Sequence, residues 1–118
     1  MIVAGFGLRA SASLACLRGL LGDVKVDALA VVADKARHPA LIALAQEMAR
    51  PIRAVALEDL ACARAQTLAP HQPSRYGNMS VAEAAALAAA GPTALLLHPR
   101  ITAKDGTATM ALAQGPDL

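Results

Sequence analysis

Apolar residues along this chain follow two alternating rhythms. Short solid or period-two runs, the pattern of strands, are separated by stretches in which apolar side chains recur every three or four positions, the pattern of helices. Ile2 to Leu8 reads as a buried strand, and Leu14, Leu17 and Leu21 then share one helical face before Gly22 stops the helix. Val26 to Ala33 is rich in Val and Leu and bounded by Asp23 and Asp34, which suits a central strand covered on both faces. Pro39 is placed to open a second helix at its first position, with Leu41, Leu44, Ala45 and Met48 on one face and a stop near Arg50-Pro51. Ile52 to Leu57 makes a third strand, followed by a helical stretch from Glu58 to Gln66.

The pattern then dissolves from Leu68 to Met79, a loop with two prolines, a glycine and several polar side chains, among them Arg75 and Tyr76. Loops of that length in a small domain are often functional. Ser80-Val81-Ala82-Glu83 follows as a capping box: the Ser hydroxyl accepts from the Glu83 backbone N–H while the Glu side chain returns to the Ser80 N–H. The helix it opens, Val81 to Ala90, is nearly all alanine and ends at Gly91-Pro92. Ala94 to Leu97 reads as a fourth strand. Lys104-Asp105-Gly106 supplies a hairpin turn into Thr107 to Ala113, whose alternation suits an antiparallel edge strand.

Strands that alternate with helices predict a single α/β domain over residues 1–118. The expected form is a three-layer α/β/α sandwich around a mostly parallel five-stranded sheet with an antiparallel last strand. Ligands of such sheets bind beyond the carboxyl ends of the strands. Arg9 to Ser13, Asp34 to His38, Glu58 and His98 to Arg100 are the residues expected there.

Composition and charge narrow the classes. A chain of 118 residues with 56% hydrophobic content has ample material for one core and no room for a second domain. Eleven Lys and Arg against nine Asp and Glu leave a charge of +2, with no run of like charge, and Phe6 and Tyr76 are the only aromatic residues besides histidine. Nucleic-acid binding, which needs a basic stripe or stacking aromatics, is not expected. No apolar stretch of membrane-spanning length escapes a charge or a Gly or Pro break, and no basic start precedes an export segment, so the expected location is the cytoplasm. Cys16 and Cys62 read as buried free thiols in a reducing compartment.

Candidate chemistry is sparse. Gly5-Phe6-Gly7-Leu8-Arg9-Ala10 fits G-x-G-x-x-A between a strand and a helix, and Asp34 stands after the second strand, where an acid could bind a ribose. The competing reading gives Gly5 and Gly7 a purely backbone role. Arg9, Ser11 and Ser13 lie where the first helix begins, a place that favours a carboxylate or phosphate; alternatively Ser11 is an N-cap and Arg9 a solvated charge. Asp34 and Lys35 allow the same two readings. Glu83 is a potential general base already explained by its capping box with Ser80. His38, His71 and His98 stand far apart, without metal-ligand spacing, so neither a metal nor a cofactor is expected.

Three segments, Gly5-Phe6-Gly7-Leu8-Arg9 with Ser13, Ala33-Asp34-Lys35-Ala36, and Ser80-Val81-Ala82-Glu83 with the alanine run to Gly91, are similar in order and spacing to the CobE and CbiG C-terminal family. The resemblance covers nearly the whole chain and implies a role in making the corrin ring. CbiG opens a lactone on a cobalt-precorrin and releases a two-carbon fragment, whereas free-standing CobE proteins accompany the aerobic route. A precorrin or corrinoid intermediate is thus the implied ligand, bearing acetate and propionate groups suited to Arg9 and Lys35, and another cobalamin-pathway enzyme is a potential partner. Binding or protecting an intermediate, hydrolysis or isomerisation of the same ring system through Glu83 or Asp34, and a small nucleotide-binding module all stay open at the level of sequence.

Overall fold

The computed structural model describes residues 1–62 and 80–116. Its elements run β1 (Ile2–Leu8), α1 (Leu14–Leu21), β2 (Ala28–Val32), a 3-10 turn (Ala33–Lys35), α2 (Pro39–Met48), β3 (Ile52–Val55), α3 (Leu57–Cys62), α4 (Val81–Ala90), β4 (Leu95–Thr102) and β5 (Ala108–Gln114). The expected Leu68 to Met79 loop lies outside the described residues, as do the end of the Glu58 to Gln66 helix and the thiol of Cys62.

Alternation within β1 separates two apolar layers. Ala4, Phe6 and Leu8 point into a cluster with Leu17 and Leu21 of α1 and Leu41 and Leu44 of α2. Val3, of opposite parity, joins Ala85, Ala86 and Leu87 of α4 and Leu60 of α3 on the other face. Gly5 and Gly7 share the parity of Val3, so they face α4. A Cβ on Gly5 would collide with the Ala82 carbonyl oxygen and stand 2.6 Å from the Ala86 nitrogen. The absence of that Cβ is what lets α4 rest directly on β1. Eight of its ten residues are buried, the condition of a helix that is apolar all round.

The sheet order is β3-β2-β1-β5-β4. The pairs β1–β2 and β2–β3 are parallel, while β1–β5 and β4–β5 are antiparallel. This corrects the expected mostly parallel sheet to a mixed one. It also moves the last strand: β5 is wedged between β1 and β4 instead of lying at an edge. Burial explains the placement. Ala108, Met110, Ala111, Leu112 and Ala113 are all covered, so β5 needs a neighbour on each side and a layer on each face. Strand β4 takes the edge, with Leu95 68% exposed. It runs through Pro99, which has no N–H to give a ladder, with two shifts of register against β5. His98 to Arg100 therefore lie inside a strand and not, as the sequence suggested, beyond its end.

Local signals act as their chemistry requires. Pro39 is the first residue of α2, and Gly106 turns the β4–β5 hairpin at φ 73°, closed by Ala103 and Ala108 at 2.9 Å. Helix α2 ends on Ala49 in the left-handed region at φ 54°.

Candidate functional site

Strands β1, β2 and β3 run the same way, and β4, antiparallel to β5, runs with them. Their carboxyl ends form one edge of the sheet. Helix α4 begins at this edge too, since Ala82 lies over Gly5 and Gly7 while Ala90 lies against Gly115 at the opposite end. The N-termini of α1, α2 and α4, each with a side-chain cap, thus open on one side, as does that of the short α3. Ser13 caps α1, its Oγ accepting from the Cys16 N–H at 3.1 Å; His38 caps α2, its Nδ1 accepting from the Ala40 N–H at 3.2 Å; Ser80 caps α4, its Oγ accepting from the Glu83 N–H at 3.3 Å. Each terminus carries the partial positive charge of aligned peptide dipoles.

His38 also joins two of the loops. Because the Ala40 amide can only donate, Nδ1 is the acceptor, and Nε2 carries the proton that it gives to the Arg9 carbonyl at 2.9 Å. The Arg9 N–H donates to the Thr107 carbonyl at 2.8 Å, and the His38 N–H to the Lys35 carbonyl at 3.1 Å. Backbone and ring together connect the loops after β1 and β2 with the β4–β5 hairpin. Sequence reasoning put His38 at this edge, within Asp34 to His38, and weighed it as a metal ligand, missing its role as a cap and bridge. Its one local signal was a polar residue directly before a helix-opening proline, the N-cap position.

The residues singled out from the sequence divide into two groups. Arg9, Ser11, Ser13 and Asp34 are exposed and Lys35 half-buried, all on the loops joined by His38. The cap of α1 is Ser13, which corrects the reading of Ser11 as the N-cap. Ser80 and Glu83 belong to the α4 side and are buried, Glu83 completely. The Glu83 carboxylate accepts from the Arg100 N–H of β4 at 2.8 Å, holding the edge strand where its register against β5 shifts. Gly5 and Gly7 lie within β1, not in a turn beyond it, and the space over Gly5 is taken by α4.

At the hairpin, Asp105 Oδ1 accepts from the Thr107 hydroxyl at 2.7 Å and its N–H at 3.0 Å. The hydroxyl bond, then the backbone bond, hold the Asp105 carboxyl below its ordinary range. The Cys16 thiol stands 3.7 Å from the same oxygen and is half-buried, not buried as the sequence implied. Across the outer layer, Arg18 of α1 makes a two-point ion pair with Glu47 of α2 at 2.6 and 2.9 Å. The hydrogen bond to Arg18 lowers the Glu47 carboxyl. Among the described residues no three His, Cys, Asp or Glu side chains stand together as a metal site, and no helix is long and apolar enough to cross a membrane.

Comparison with known proteins adds the biological setting. The family model described as cobalamin synthesis G C-terminus matches residues 2–113. The chain is similar to the solved structure of CobE, a protein from the cobalamin (vitamin B12) biosynthetic pathway. Identity is 33% and the TM-score 0.81, over 96% of this chain and 89% of that one. It is similar also to cobalamin biosynthesis protein chiG from Agrobacterium tumefaciens str. C58, at 33% identity and a TM-score of 0.75 over 99% and 100% of the two chains. A cobalamin biosynthesis protein G homologue from Sulfolobus solfataricus shares the fold at 20% identity and a TM-score of 0.66, with 98% of this chain matching 37% of that one. Comparison with curated proteins gives no match. The ordered motifs, the mixed five-stranded α/β architecture and these likenesses agree: the chain belongs to the CbiG C-terminal family of cobalamin-biosynthesis proteins.

Proposed function

We propose that this chain binds a precorrin or corrinoid intermediate at the carboxyl edge of its sheet, in the cytoplasm and on the aerobic route, holding the ring system without changing it. One observation carries the reading: Arg9 and Lys35, far apart in sequence, stand on loops tied to each other through His38, beside the N-termini of α1 and α2. Ring intermediates of this pathway bear several carboxylates. A guanidinium, an ammonium and two positive helix ends are groups that recognise carboxylates, and charge-assisted bonds of this kind are about twice as strong as neutral ones. The fully buried Glu83 has its Oε2 committed to the Arg100 N–H, which favours binding over hydrolysis by that carboxylate.

The test is a titration with hydrogenobyrinic acid and earlier precorrins, followed by absorbance and by product mass. The expected result is a spectral shift with unchanged mass, weakened roughly tenfold in Arg9→Ala and in Lys35→Ala, the loss of one charge-assisted bond each. No shift with any intermediate would remove the ligand from the proposal. A changed mass would make the chain an enzyme acting on the same ring.

A further inference from the structure

We infer that His38 is a positioning residue, whose single ring sets the Arg9 loop against the Lys35 loop and so fixes the spacing of the two cations; the consequence for ligand rests on the corrinoid reading above. Its position argues for more than capping. The best N-caps are Ser, Asp, Asn and Thr, and those residues would serve α2 as well or better. An imidazole offers something they lack, a second nitrogen on the far side of a rigid ring. At 9% exposure both nitrogens need partners, and both have one: Nδ1 takes the Ala40 N–H, and Nε2 gives its proton to the Arg9 carbonyl. The same carbonyl accepts the Ala12 N–H at 3.1 Å, and the Arg9 N–H reaches Thr107. His38 therefore holds the backbone of Arg9 from one side while its own N–H holds the Lys35 carbonyl on the other. The ring is a strut of fixed length between two segments that no strand pairing joins.

His38→Asn separates the two duties. Asn is among the best caps, so α2 keeps its start, but the shorter side chain cannot reach Arg9. His38→Ser gives an independent second variant with the same property. Binding of hydrogenobyrinic acid should fall roughly two- to tenfold in His38→Asn, the worth of one lost hydrogen bond. That loss should vanish when Arg9→Ala is already present, because a ring that acts by placing Arg9 has nothing left to place. Affinity equal to the parent, or an equal loss in the Arg9→Ala background, overturns the inference. Amide exchange decides the strut without any ligand. The Ala12 N–H should exchange roughly two- to tenfold faster in both variants while the Ile42 N–H inside α2 is unchanged, and unaltered Ala12 protection overturns it. Failure of the parent protein to bind, with Ala12 loosened in the variants, sinks the corrinoid reading and leaves the strut standing.

Discussion

A methyl group added to Gly5 tests the contact on which the α4 layer depends. The new Cβ would collide with the Ala82 carbonyl oxygen and lie 2.6 Å from the Ala86 nitrogen and 2.8 Å from the Ala86 Cβ. Two of these three obstacles are helix backbone, so no rotamer change relieves them, and α4 must lift from β1. Overpacking costs about 1–3 kcal/mol, and a helix buried on nearly every side puts Gly5→Ala at the upper end, about 3 kcal/mol. For a domain of this size that is a fall in Tm of roughly 10 °C. Gly7→Ala is the graded comparison. Its Cβ would stand 2.5 Å from the Thr109 hydroxyl, a side-chain atom that can turn away, and 3.9 Å from the nearest backbone, so about 1 kcal/mol is expected. Gly19→Ala is the opposite control: inside α1, with nothing within 4 Å, it should stabilise by about 0.5–1 kcal/mol through helix propensity. Thermal and urea melts by circular dichroism on the three variants measure the series. A Gly5→Ala protein melting within roughly 2 °C of the parent, or below Gly7→Ala in cost, would refute the claim that close approach of α4 is why glycine stands there.

Three further outcomes follow from the geometry. Glu83→Ala should destabilise by about 3 kcal/mol, since it leaves the Arg100 N–H without its carboxylate and opens a cavity under α4, whereas Glu83→Gln keeps an acceptor of the same shape and should cost less; equal urea midpoints for the two would contradict this. Ala49→Gly should raise stability by about 1 kcal/mol because residue 49 ends α2 at φ 54°, where a Cβ is crowded; a lower Tm would show that the alanine makes a compensating contact. Asp105 has a folded-state carboxyl below its ordinary 3.8, so its contribution to stability is complete above that value and is lost as pH falls through the lower folded value. Carboxyl NMR should place its midpoint below 3.8, and Thr107→Val should move it upward by removing the hydroxyl bond.

Local chemistry in this chain was readable where one segment decides its own structure. Pro39 opens α2, Ser80 caps α4 through the Glu83 N–H, Gly106 turns the last hairpin, and Ala28 to Val32 is buried on both faces. Reading stopped where the deciding partner is remote. The position of β5 depends on whether its two apolar faces find β1 or an edge, and alternation alone does not rank those options. Strand β4, expected over Ala94 to Leu97, runs on through Pro99 to Thr102, because an edge strand tolerates a residue without an N–H for the ladder. Within the site, Arg9 and Lys35 stood out by charge, but the residue that joins them did not, because its partner carbonyl lies 29 positions away. Glu83 shows the same limit: its Oε2 accepts from the Arg100 N–H of β4, a contact invisible from the Ser80 to Glu83 segment alone.

Wedging β5 between β1 and β4 also sets the order in which this chain can fold. Strand β1 is made before every other strand of the sheet, and its ladder from Ile2 to Leu8 waits for Gln114 to Ala108, extended by the Gly115 N–H donating to the Met1 carbonyl at 2.9 Å. Until β5 is made, β1 has one open flank, and the nascent sheet carries an unpaired apolar edge. Pairing the first strand of the sheet with the last is its least local contact and the most costly in loop entropy. Closure of the sheet should therefore be the late, slow event, and premature termination within β5 should leave an aggregating half-sheet in place of a smaller folded protein.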